Sequence, residues 1–154
     1  METIEDTLRQ HSFFTGLDAE LGKTVSGCAR NRRFDAGLYL FREGEPADEF
    51  FVIKHGAVAL EIAAPGQAPM VFAKLGAGEI VGASWLVPPY RWTFDARAVE
   101  PTRTIGIDAK CLRGKSEADN HLGYELLKRF IPVLVKRLQE TRLQMLDVYG
   151  KSDK

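Results

Sequence analysis

The run GEIVGASWLVPPYRWTFDARA, residues 78 to 98, collects an acid at Glu79, small residues at Gly82, Ala83 and Ser84, two tryptophans, a double proline and two arginines. Each type has a definite capability. A helix that begins at glycine or alanine turns unpaired backbone amides toward an anion and lets the anion approach the chain, a role open to Gly82, Ala83 and Ser84. The guanidinium of Arg91 is a planar fork of donors that meets two phosphate oxygens at once, which an ammonium does less well. The Glu79 carboxylate accepts hydrogen bonds and donates none. Plainer uses stand beside these: Glu79 as a helix cap, Arg91 as a surface ion-pair partner, Trp85 and Trp92 as core. Spacing alone leaves both sets open.

Other chemistries find no support in the residue pattern. There is no Ser–His, Cys–His or paired-carboxylate grouping, so the chain reads as a binding protein and not an enzyme. His11, His55 and His121 are scattered, and Cys28 and Cys111 have no CxxC or CxxH companions. No metal, haem or iron–sulfur cofactor is therefore expected, and the two cysteines read as buried thiols. Lysine plus arginine (21) balances aspartate plus glutamate (21), so no overall field draws in nucleic acid or an anionic membrane, and a charged ligand must be held locally. The acidic, amphipathic start METIEDTLRQHSFF is unlike a targeting peptide, and no segment is long and apolar enough to span a bilayer. These features read as a cytoplasmic protein.

The elements that would position the run follow from periodicity. At 154 residues and 45% hydrophobic, the chain suits one domain over 1–150, with 151–154 as a tail. Over 1–30, apolar residues Ile4, Leu8, Phe13, Phe14, Leu17, Leu21 and Val25 recur at helical intervals, broken by Gly16, with Thr15 as a cap. Over 31–108, short apolar runs alternate with glycines, as in an antiparallel sandwich or barrel, and Gly56 reads as the turn of a hairpin carrying His55. Over 109–150 the pattern is helical again. Leu127, Ile131, Leu134, Leu138, Thr141, Met145 and Val148 fall at alternating steps of four and three, the seam of a self-pairing helix, and Pro132 should kink that helix or join two pieces.

This order of elements, with YLFREGEPADEFFVIKHGAVAL and LGAGEIVG as its text, resembles the cyclic-nucleotide-binding domain of the catabolite activator protein (Crp/Fnr) superfamily, from about Phe13 to Gly150. The resemblance implies a double-stranded β-helix, or jelly roll, with FFVIKHGAVAL as paired strands. It also implies a cassette in which Gly78 and Glu79 with a later arginine frame a short helix around a cyclic phosphate, Glu79 holding a ribose 2′-hydroxyl. VKRLQETRLQML resembles the dimer helix of the family, which puts Arg137 near the phosphate and acid and Thr141 against the base. Departures are evident. The slot for the phosphate arginine falls on Trp92, Arg91-Trp92-Thr93 replaces the usual arginine–hydroxyl–alanine triplet, and Arg142 stands where a second hydroxyl residue follows Thr141.

Two functions follow. In the first, a regulatory module binds a cyclic nucleotide such as cyclic AMP through the altered cassette, drawing it inward, and signals through a homodimer along residues 122 to 148 to an unidentified protein partner. In the second, the pocket is closed by Trp85 or Trp92, and the fold serves as a protein interaction module that docks through WLVPPY. Only KSDK follows Gly150, where relatives continue into a helix-turn-helix, so direct DNA binding is not expected.

Overall fold

The computed structural model describes residues 3–152, without the side chains of residues 144 and 147–152. At the N-terminus, Thr3 and Asp6 form a reciprocal capping box that starts helix α1 (Ile4–Gln10). A single 3-10 turn (Ser12–Phe14) follows, then α2 (Ala19–Ser26). The cap of α2 is Asp18, which accepts from Leu21 N at 2.9 Å; Thr15 was expected there, but it precedes the left-handed turn at Gly16, outside the helix.

Eight strands then build two four-stranded antiparallel sheets, the jelly roll that the sequence implied: β1 (Ala29–Phe34), β2 (Tyr39–Phe41), β3 (Glu49–His55), β4 (Ala57–Ile62), β5 (Met70–Gly76), β6 (Ile80–Val81), β7 (Asp95–Ala98) and β8 (Thr102–Asp108). Their orders are β1-β8-β3-β6 and β2-β7-β4-β5. Phe50, Val52, Val58, Leu60, Ala96, Ala98, Ile105 and Ile107 are all fully buried and form the core with neighbouring aromatics. One detail corrects the sequence reading. β3 and β4 are not paired, because the chain changes sheet at Gly56, whose φ of +110° and close approach to Thr102 require glycine. The hairpin lies one step later, between β4 and β5.

Asp108 caps α3 (Ala109–Ala118), and Asp119 both closes α3 and caps α4 (Asn120–Ser152) by accepting from His121 N and Leu122 N. The two helical pieces therefore join at Asp119 and not at Pro132, through which α4 runs unbroken. Pro132 removes one backbone donor, but Leu126, Phe130 and Val133 pack on the barrel on either side and carry the helix across. On the far side Leu127, Ile131, Leu134 and Leu138 stand 43–52% exposed. Val148, the last expected seam residue, lies outside the described side chains.

The cysteines depart from expectation as well. Cys28 and Cys111, 83 residues apart, form a disulfide. Pairing of β1 with β8 sets Ala29 opposite Ile107 and lets Asp108 N donate to the Cys28 carbonyl at 2.8 Å, so the first turn of α3 folds Cys111 back over Cys28.

Candidate functional site

The residues singled out in the sequence fall into three places. The first is the cassette itself. β6 is followed by Gly82, at φ +99°, and Ala83 then starts a single 3-10 turn, Ser84–Leu86, with no side-chain cap. Trp85 anchors that turn: it is fully buried, stacked on Phe50 at 4.7 Å and edge-on to Phe130 of α4 at 5.4 Å. Arg113 of α3 donates to the Trp85 carbonyl at 2.8 Å and lies 4.2 Å over the Tyr90 ring, so α3 grips the cassette at both ends.

Trp92 closes the cassette from the other side. Its ring stacks on Phe41 of β2 at 3.7 Å, nearly parallel, and lies so close to Gly82 that any Cβ there would overlap it. Its backbone is clamped to the loop after β2, with N donating to the Glu45 carbonyl at 3.0 Å and O accepting from Gly44 N at 2.8 Å. Phe51 and Phe94 fill the space around the stacked pair. Only 3% of Trp92 is exposed.

That clamp decides where Arg91 goes. Successive side chains on extended backbone face opposite ways, so with Trp92 inward, Arg91 and Thr93 face outward and are exposed. Arg91 bridges to Pro46 and donates to the Gly44 carbonyl at 2.8 Å, on the outer surface of the loop. This is the second place, and it is apart from Gly82, Ala83 and Ser84.

The third place lies between the β5–β6 turn and α4. Gly78, at φ +90°, donates to the Ile53 carbonyl, and Glu79 turns its carboxylate back to accept from Gly76 N at 2.7 Å, with Lys136 at 3.9 Å. Glu79 thus caps a turn rather than the cassette helix. Arg137 donates to the Ile80 carbonyl at 2.6 Å. Burial pulls its guanidinium below its ordinary value while the Glu79 and Glu140 carboxylates oppose the shift. Glu79, Arg137 and their neighbours, with Phe13 and Val133 as apolar wall, line a cavity of about 130 Å³. Thr141, one turn on, is exposed and donates to the Arg137 carbonyl within its own helix.

Three contributors went unread in the sequence: Phe41, which supports Trp92; Arg113, which holds the cassette to α3; and the disulfide. Trp92 in the arginine slot opposite a glycine was a signal for the first. Nothing local marks the other two, since both contacts depend on where α3 lands. Among the described residues no cluster of histidine, cysteine and carboxylate side chains could hold a metal ion, and no helix is long and apolar enough to cross a membrane.

With this geometry in place the comparisons are specific. Residues 31–119 match the model of the cyclic nucleotide-binding domain, more than half of the chain, and the protein belongs to that family. It is 23% identical over 145 residues to the CRP-like cAMP-activated global transcriptional regulator of Mycobacterium tuberculosis, covering 94% of this chain and 63% of the regulator. It is 28% identical over 141 residues to cyclic nucleotide-gated ion channel 18 of Arabidopsis thaliana, covering 89% of this chain and 19% of the channel. The chain therefore spans less than two thirds of either relative. Among solved structures, a Geobacter metallireducens protein assigned to cyclic nucleotide binding superposes with a TM-score of 0.80 at 29% identity, covering 88% of this chain and 98% of that one. The Thermus thermophilus catabolite activator protein shares the fold, with a TM-score of 0.69 at 22% identity over 90% of this chain and 62% of that one. The fold is that of a regulatory ligand-binding domain.

Proposed function

We propose that this domain regulates through protein contacts, with its nucleotide site closed by Trp92, and that its first contact is a second copy of itself along α4. One observation carries the reading: the Trp92 ring, stacked on Phe41, occupies the space against Gly82. A cyclic phosphate in the cassette would also find Arg91 turned outward onto the Gly44 carbonyl and Arg137 directed at the Ile80 carbonyl. The cavity beside Glu79, about 130 Å³, falls short of the roughly 300 Å³ at which small-molecule sites begin. Val87, Pro88 and Pro89, in the loop that follows the cassette turn, are exposed and suit a protein partner.

The cyclic-nucleotide reading keeps one observation in its favour. Gly82 holds a left-handed, side-chain-free backbone at the start of the cassette turn, and the M. tuberculosis relative is described as cAMP-activated. In that reading Trp92 leaves the slot before a phosphate meets Gly82, Ala83 and Ser84. Calorimetric titration with 3′,5′-cyclic AMP and cyclic GMP separates the two. Under the closed-site reading the wild type gives no binding heat at ligand concentrations of about 1 mM, the weak end of specific affinity. Micromolar binding of either nucleotide would return the domain to the nucleotide-responsive class.

A further inference from the structure

The Cys28–Cys111 disulfide ties the start of β1 to the first turn of α3, across a Cα–Cα distance of 5.8 Å. Three features make it more than a staple. Cys28 and Cys111 together form part of the wall of an open cleft of about 420 Å³, whose remaining lining includes the polar side chains of Arg30, Asp48, Glu49 and Asp108. Cys111 is itself partly exposed to that cleft, so a thiol in solution has a route to the bond. Two residues further along α3, Arg113 holds the Trp85 carbonyl and the Tyr90 ring of the cassette. Finally, α3 passes into α4 at Asp119 without a linker. What fixes α3 therefore fixes both the cassette and the root of α4.

We infer that this disulfide is a reversible latch, opened by a dithiol reductant that enters the cleft, and that its state sets how firmly α3 holds the cassette. In the opening step a thiolate of the reductant attacks Cys111 Sγ, the bond to Cys28 breaks, and Cys28 leaves as a thiolate that takes up a proton. The second thiol of the reductant then attacks the mixed disulfide, releasing Cys111 as a thiol and leaving the reductant as its own disulfide. Two electrons and two protons pass to the protein. With the tether gone, the first turn of α3 keeps the burial of Ala109 and Leu112, the Asp108 cap and the bond from Ala109 N to the Asp48 carbonyl but loses its covalent tie to β1, and Arg113 stands on a looser base. The inference is independent of whether Trp92 ever leaves its slot.

The test uses the full-length wild type with dithiothreitol as the reductant, so it needs no variant to fold. Alkylation and intact mass on protein purified in air should show no free thiol before reduction and both cysteines alkylated after it, with native secondary structure retained. Closing a long loop contributes enough that the melting temperature should fall by about 10 °C on reduction. A plain staple would do the same, so the deciding readouts are local and taken well below melting. Emission from Trp85 and Trp92, the two tryptophans of the chain, should shift, and tryptic cleavage after the exposed Arg91 should speed up by about fivefold or more. Cys111→Ser, or Cys28→Ser if that variant fails to fold, should show the reduced signature with no response to dithiothreitol. Two free thiols in the air-purified protein would overturn the latch. So would reduction that lowers the melting temperature but leaves emission and cleavage unchanged.

Discussion

Trp92 and Gly82 define each other. At φ +99° position 82 favours glycine by about 1 kcal/mol over a residue with a Cβ, and the Trp92 ring adds a steric reason of its own. Gly82→Ala should therefore destabilise by more than the backbone penalty alone. Trp92→Ala should cost about 3–5 kcal/mol, because it removes the partner of Phe41 and leaves a cavity in the core. Together the two changes should cost clearly less than their sum, since the truncated residue no longer meets the new methyl group. Urea denaturation of the two single variants and the double variant measures this, and additivity would mean that the ring does not press on position 82. The identity of the residue in the slot was legible from counting along the chain. Its orientation was not. Whether Trp92 or Arg91 faces inward is decided by the carbonyl of Glu45 and the amide of Gly44, almost fifty positions earlier, which bind one backbone register of the extended segment.

Among the elements, the N-terminal helices are docked through a titratable group. His11 Nε2 donates to the Ile53 carbonyl at 3.2 Å, and its Nδ1 accepts from Phe13 N at 3.1 Å, so both bonds together require the neutral ring. Burial lowers its pKa from the ordinary value near 6.5, with the Ile53 carbonyl opposing. The folded state thus binds its proton less readily than the unfolded one. The stabilising contribution is complete above about pH 6.5 and is lost as pH falls through the lowered value. Melting temperature between pH 7.5 and 5.5 should fall for the wild type. His11→Asn, which retains an acceptor for Phe13 N, should start lower and fall less, and equal slopes would remove His11 from the account. The same region shows why some elements were missed from sequence. β1 carries Arg30, Arg32 and Arg33, and two of these pair with Glu49 on β3, Arg32 at 2.6 Å and Arg30 at 3.3 Å. Without that distant partner the segment has too little apolar alternation to be read as a strand. Once β1 was unread, the juxtaposition of Cys28 and Cys111 that β1–β8 pairing creates was invisible too. The run of short strands and the long helix were legible because their periodicity is local, but the hairpin was placed one turn too early, at Gly56, because which neighbouring strands pair is not a local property.

At the scale of the whole molecule, α4 has two apolar sides and one barrel. Leu122, Leu126 and Phe130 are buried against the chain's own sheets, while Leu127, Ile131, Leu134 and Leu138 continue as an uncovered stripe. Their steps of four, three and four match the spacing at which two helices interlock side chains. A second copy presents the same stripe in the same spacing, and an isologous contact along a two-fold axis covers both at once. On this argument Ile131→Asp with Leu134→Asp places two carboxylates per chain in the seam. Self-association should weaken by more than about 100-fold, a loss of roughly 2.8 kcal/mol or more. The monomer should still fold, because both positions are solvent-facing on a single chain and no core contact is lost. Sedimentation velocity at about 10 μM, where a seam of this size should hold, would show a dimer for the wild type and a monomer for the double variant, with matching far-UV circular dichroism. A wild type that sediments as a monomer at that concentration, or a variant that remains dimeric, would mean that the stripe is covered by something other than a second α4.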